Sequence, residues 1–195
     1  MILNKSDEKS LELCVSALKS GKIVIIPTDT VYGFSGLVMP SSPLDGDSKI
    51  KAVKGRAETK PLIQLIAKAE DIKKHTDDQI PEKLLACWPG PLTIIVNNKN
   101  YASDGLKTIA FRCPGDLWLR KIIEKCGCPI YSTSVNRSGS PVLETEAEIK
   151  DEFEKDVDLI VFDGDKKGSL PSTIVSLSEG KVKILRQGSV KIDEI

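Results

Sequence analysis

Apolar residues change their period repeatedly along this chain, and each change marks an element. In residues 8–20, Leu11, Cys14, Val15 and Leu18 recur at helical spacing and share one face. Asp7 stands where a helix cap belongs, and Gly21 where the helix should stop. Ile23-Val24-Ile25-Ile26 follows with no polar break. So short an apolar run predicts a strand buried on both faces, ending at Pro27. Residues 39–48, dense in Pro, Ser, Asp and Gly, read as a loop. Asp47 or Ser48 is placed to cap the next helix, which carries Ile50, Val53 and Lys54.

Further strands are predicted at residues 62–67, 93–97, 108–112, 130–133, 159–162, 173–177 and 182–185. Short helices are predicted at 71–75 and 82–88. Residues 116–125 form an amphipathic helix through Leu117, Leu119, Ile122 and Ile123. Residues 145–153 are helical, with Glu148 three positions after Thr145 as a capping box. Residues 164–171 are a loop. Helices and strands are mixed throughout, and no repeat, low-complexity tract or linker divides them. The pattern predicts one α/β domain over residues 1–195 with about seven or eight strands. The late strands follow one another too closely for helical crossovers, so the sheet should be mixed parallel and antiparallel.

Composition narrows the function classes. Lysine and arginine number 28, as do aspartate and glutamate, so the net charge is zero and no strongly basic nucleic-acid surface is announced. Hydrophobic residues make up 40% and charged residues 29%, as in globular proteins that stay in solution. Asp7 and Glu8 interrupt the N-terminus, which does not read as a signal peptide. No apolar run approaches the roughly 18–20 residues of a membrane span. A cytoplasmic protein with no membrane partner is expected. Cys14, Cys87, Cys113, Cys126 and Cys128 are odd in number and irregular in spacing, which argues against a disulfide framework. Cys126-Gly127-Cys128 has no second cysteine pair, and His75 is the one histidine, so a zinc site lacks ligands.

The chemistry sits in short motifs. Phosphate-binding and dinucleotide-binding glycine loops are absent, as is a hydrolase nucleophile elbow. Pro27-Thr28-Asp29-Thr30-Val31-Tyr32-Gly33 puts hydroxyls just past a buried strand, where ligands of α/β sheets sit; alone it reads equally as a turn. Lys49, Lys51, Lys54, Arg56 and Lys60 cluster within twelve positions. Such a run is commonly a solvated face, but Gly55 and Pro61 place Lys54 and Arg56 at a helix-to-strand corner. Trp88-Pro89-Gly90-Pro91 reads as a packed corner. Ser132 to Gly139 offers hydroxyls, an amide and turn N–H groups that can cradle an anion. Arg112 and Arg186 close apolar strands. Together these residues make a site rich in hydroxyl and cationic groups and poor in acid–base groups, which suits phosphoryl or nucleotidyl transfer.

In this order the motifs P-T-D-T-V-Y-G, K-G-R, W-P-G-P-L-T, S-T-S-x-N-x-S-G, S-T and L-R-x-G resemble those of the YrdC (TsaC) family over about residues 8–190. The resemblance implies a YrdC/RibB-like fold: a twisted mixed sheet flanked by helices around a central, positively charged cavity. It implies L-threonylcarbamoyladenylate synthesis from L-threonine, bicarbonate or CO2, and ATP with Mg²⁺. The adenylate would serve tRNA modification, through downstream threonylcarbamoyl-transferase enzymes. Carried over by position, Lys54 and Arg56 are the catalytic pair that neutralises phosphates. Thr30, Lys60, Arg112, Ser132 and Ser172 fall on the threonine side. Lys51, Thr108, Ser134, Asn136 and Arg186 fall on the ATP side. Metal ligands are not indicated. Asp116 stands where many relatives have histidine, a change expected to bear on the substrate pocket. Val135 and Phe34 are further departures. Two other readings stay open: a carbamoyl-adenylate-forming enzyme with a different substrate, and a non-catalytic module for tRNA or double-stranded RNA.

Overall fold

The structure, a computed structural model, describes residues 1–57 and 61–192. The chain runs β1 (Ile2–Asn4), α1 (Ser10–Lys19), β2 (Val24–Ile26), β3 (Gly33–Leu37), α2 (Asp47–Lys54) and β4 (Ile63–Leu65). A 3₁₀ turn (Ala69–Lys74), α3 (Glu82–Leu85), β5 (Leu92–Asn97), α4 (Tyr101–Asp104), β6 (Thr108–Arg112) and α5 (Leu117–Cys126) follow. The chain continues through β7 (Ile130–Ser134), α6 (Glu146–Phe153), β8 (Leu159–Phe162), β9 (Thr173–Ser176) and β10 (Lys183–Arg186). The described strands form one ten-stranded sheet in the order β1-β8-β2-β3-β7-β4-β6-β5-β9-β10. It is mixed, as expected: β2–β8, β4–β6 and β5–β9 are parallel, while β2–β3, β3–β7, β4–β7, β5–β6 and β9–β10 are antiparallel.

Ten strands replace the expected seven or eight. β1 is only three residues long and exists because Ile2, Leu3 and Asn4 pair with Ile160, Val161 and Phe162. β3 (Gly-Phe-Ser-Gly-Leu) lacks β-branched residues and follows a turn directly, so its period is hidden. Two helix caps also differ from expectation. Asp7 does not cap α1; its carboxylate accepts from Asn4 N–H at 2.7 Å. Neither Asp47 nor Ser48 caps α2, which starts after Gly46; Asp47 instead pairs with Lys51 one turn on, at 2.7 Å. The capping box of Thr145 and Glu148 is present as expected.

Three apolar clusters hold the sheet. Ile25, Phe34, Tyr131 and Ile160 pack with Ile50 of α2 and Ile149 and Phe153 of α6. Phe34 meets Phe153 edge to face at 4.9 Å, a favoured aromatic geometry. Val24, Ile26, Leu65, Ile130 and Val161 pack on the opposite face with Leu18 of α1 and Leu119, Ile122 and Ile123 of α5. Leu117, expected on that apolar face, is instead exposed. The third cluster joins Ile94, Phe111 and Val175 to Ile72, Leu84 and Trp88. The Trp88 corner is packed as expected, with its indole N–H donating to Leu92 O at 2.7 Å and a cis bond to Pro89. Among the described residues, no helix is long and apolar enough to cross a membrane.

Candidate active site

Strands β7, β4, β6, β5 and β9 line a cavity on one face, beside Leu65 and Ile130, which pack under α1 and α5. Side chains two apart along each strand point to it: Ser132 and Ser134, Ile63, Ala110 and Arg112, Thr93 and Ile95, Ser172 and Ile174. The register lines Ser132, Ile63, Ala110 and Ile95 across the sheet. The turn between β2 and β3 closes one side with Thr28 and Thr30, and Arg56 and Arg186 stand at the rim. The result is a cavity of about 300 Å³. Its described lining carries three arginines and many hydroxyls, and no carboxylate, imidazole, thiol or lysine.

Arg112 is the deepest cation, 4% exposed. Its Nη1 donates to Thr30 Oγ1 at 3.1 Å, and its Nη2 lies 3.4 Å from Asp29 Oδ1. Its Nε is buried with no hydrogen-bond partner among the described residues. Burial lowers its affinity for the proton; Asp29 opposes that shift and Arg186 adds to it. Arg186 is held by Ser172, donating through Nε and Nη2 to the Ser172 carbonyl at 3.1 and 2.8 Å. Partial burial lowers its pKa too. Gly188 makes this possible: a Cβ there would lie 2.1 Å from Pro171 O, so the glycine of L-R-x-G lets the chain pass close over the 171–172 strand end. Ser172 Oγ also contacts Thr93 Oγ1 at 2.9 Å, both side chains buried.

The K-G-R motif is split by its glycine. Gly55 ends α2 at φ +62°, a left-handed cap that turns the chain. Arg56 therefore reaches the cavity, where Nη2 donates to Pro61 O at 3.2 Å. Lys54 stays behind, only 2% exposed and outside the cavity lining. Its ammonium donates to Ser134 O, and to Asn136 O and Oδ1 at 2.9 Å each, and sits 5.3 Å above the Phe34 ring. All three of its N–H donors are thus engaged. Burial, and secondarily the charge of Arg56, brings its pKa down to about 8. Asn136 is equally committed: Oδ1 accepts from Lys54 and Ser134 Oγ, and Nδ2 donates to Arg137 O and Ser140 O. It holds the turn and does not line the cavity. Two N–H groups of that turn, Val135 and Ser138, go to Tyr32 O and Lys54 O rather than toward a ligand.

So the cavity brings together Thr30, Arg56, Arg112, Ser132, Ser134, Ser172 and Arg186 of the expected set. Lys51 and Thr108 lie elsewhere, lining a neighbouring pocket with Gln64 and Tyr131. Lys60 falls outside the described residues. Asp116 does not line the cavity: Oδ1 caps α5 by accepting from Leu119 N–H at 3.0 Å, and Oδ2 pairs with Lys5 at 2.6 Å. Phe34 and Val135, the other departures, are core residues. Thr28 and Thr93 were missed as cavity residues; the alternation of Thr93 with Ile95 was the available signal. Among the described residues, no group of three or more His, Cys, Asp or Glu side chains could hold a metal ion.

Fold and cavity together define an α/β protein with a mixed sheet and, on one sheet face, a hydroxyl-lined cavity that carries three arginines. The family model Sua5_yciO_yrdC, described as telomere recombination, matches residues 16–188, and the chain belongs to this Sua5/YciO/YrdC family. It is 31% identical to a putative threonylcarbamoyl-AMP synthase of Methanocaldococcus jannaschii, over 99% of this chain and 93% of that protein. It is 29% identical to the threonylcarbamoyl-AMP synthase of Pyrococcus abyssi, over all of this chain. There it spans only 58% of the relative's length. The crystal structure of P. abyssi Sua5 complexed with L-threonine superposes with a TM-score of 0.84 at 28% identity, covering 97% of this chain and 58% of that one.

Proposed function

We propose that this chain is an L-threonylcarbamoyladenylate synthase, a nucleotidyltransferase joining L-threonine, bicarbonate or CO2, and ATP into threonylcarbamoyl-AMP and pyrophosphate. The observation that carries the reading is the convergence of Arg56, Arg112 and Arg186 on one hydroxyl-lined cavity that lacks acid–base groups among its described residues. Such a site can bind and orient anions and offset charge, which is what transfer at phosphorus chiefly requires. The likeness to synthases from two archaea and to a threonine-bound structure supports the same reading.

In the reaction, Arg112 takes the threonine carboxylate, for which a planar guanidinium is the matching fork. The neutral threonine amine forms a C–N bond with CO2 as one C=O π bond breaks, and gives up a proton to solvent water, leaving a carbamate. A carbamate oxygen attacks the α-phosphorus of ATP while the bond to the departing pyrophosphate oxygen breaks opposite it. Arg56 and Arg186 offset the charge on the phosphates. Lys54 acts from behind by fixing the turn that presents Ser134. Mg²⁺ would accompany ATP as its counter-ion, since the described cavity residues offer no carboxylate cage to hold it. The product would be the donor for threonylcarbamoyl transfer to a tRNA adenosine.

The test is product identity. With ¹³C-bicarbonate, ATP and L-threonine, mass spectrometry should find the label in threonylcarbamoyl-AMP, with one pyrophosphate per adenylate. Formation of ADP and phosphate instead would remove the assignment.

A further inference from the structure

Asp29 stands behind Arg112, outside the cavity lining. Its Oδ2 accepts from Gly115 N–H at 2.8 Å, which ties it to the turn after β6. Its Oδ1 faces Arg112 Nη2 at 3.4 Å and is buried with no hydrogen-bond partner among the described residues. That contact is too long for a strong hydrogen bond. It draws on the guanidinium by charge without using up its donors.

On the other side of Arg112 the hydrogen-bond polarity can be assigned. Thr28 Oγ1 gives its single proton to Val31 O at 2.7 Å. In the 2.9 Å contact between Thr28 and Thr30 the donor must therefore be Thr30. Thr30 Oγ1 also accepts from Arg112 Nη1. Its proton is committed, so toward the cavity it offers only a lone pair. The relay runs Arg112 to Thr30 to Thr28 to Val31 O, its direction fixed by the Val31 carbonyl.

We propose that Asp29 is a positioning residue: it pulls Arg112 against the cavity wall and so holds the donor face of Arg112, beside the acceptor lone pair of Thr30, toward the amino-acid substrate. Asp29 touches no substrate and moves no proton; it acts through Arg112. The proposal rests on the reading of this cavity as a site for an amino-acid carboxylate.

Asp29→Asn separates this role from simple support of the turn. The amide oxygen can still accept from Gly115 N–H, while the NH2 group then faces Arg112 and repels it. In ¹⁵N spectra the wild-type Arg112 guanidinium should show hindered Nη rotation, and the variant averaged signals. The variant should raise KM for L-threonine about tenfold while KM for ATP and kcat stay within about twofold. Unchanged guanidinium signals with unchanged threonine KM would overturn the proposal. So would an equal loss for both substrates with a lowered melting temperature, the mark of structural support alone. If the wild type itself releases no pyrophosphate with threonine, the reaction assignment fails separately, and the guanidinium signals alone decide the role of Asp29.

Discussion

Strands β8, β2 and β3 are covered on both faces, by α1 and α5 on one side and by α2 and α6 on the other. From β7 to β9 one face is packed, and the other lines the cavity beyond Leu65 and Ile130, which join the cluster under α1 and α5. The first region is near-continuous apolar sequence, such as Val24-Ile25-Ile26 and Leu159-Ile160-Val161-Phe162. The second alternates, with Ser132, Ser134, Thr93 and Arg112 taking every other place beside Tyr131, Ile94 and Phe111. Substitutions should therefore separate cleanly: stability is lost in the first region and turnover in the second.

The largest effect expected is on the packed side. Phe34→Ala removes the ring between Phe153 and the Lys54 ammonium. It should cost about 3–5 kcal/mol, seen as a lower denaturant midpoint, with near-normal specific activity in the protein that remains folded. Next comes Arg112→Ala, which should cut threonine-dependent turnover by about 100-fold or more while circular dichroism shows a folded chain. A stability loss as large as that of Phe34→Ala would blur the contrast and place Arg112 with the core.

Lys54 stands at the seam of the two regions and predicts a pH signature. Its folded pKa is lowered to about 8 from the ordinary lysine value of 10.5. Between those values the unfolded chain binds more protons, so this group's contribution makes stability rise with pH through that window. Activity should move the other way. A neutral amine has two N–H donors for three acceptors, so the 134–136 turn loosens above about pH 8. Arg56 is the charge that faces this ammonium and lowers its pKa further. An alkaline fall in kcat with no fall in melting temperature is expected for the wild type. Lys54→Arg should abolish that limb, and its survival in the variant would assign it to another group.

The smallest effect is predicted for Lys51→Ala. Its ammonium pairs with Asp47 and lines the neighbouring pocket. KM for ATP should change less than about threefold, against about tenfold for Arg186→Ala. A reversal of that order would return Lys51 to the nucleotide site.

The cavity residues were legible mainly through the resemblance of the motifs to the YrdC family, with which the hydroxyls and arginines near strand ends agreed. Thr30, Arg112, Ser132, Ser134, Ser172 and Arg186 all reach the cavity, Arg112, Ser132, Ser134 and Arg186 from strands and Thr30 and Ser172 from the segments beside them. What failed to read through was what each polar group is already bonded to. Lys54 and Asn136 carry the motif's chemistry, but their donors and acceptors are spent on the turn between them. Asp116 looked like a pocket residue by position and is a helix cap by hydrogen bond. β1 and β3 were hidden because pairing, rather than local pattern, defines them.

The central claim is that this arginine-lined face binds an amino acid beside ATP and joins them through a carbamate. Pyrophosphate release from ATP and bicarbonate, measured with each amino acid in turn, tests it most directly. The account predicts release that depends on L-threonine and is lost in Arg112→Ala. Release that is indifferent to the amino acid, or that persists in Arg112→Ala, would contradict it.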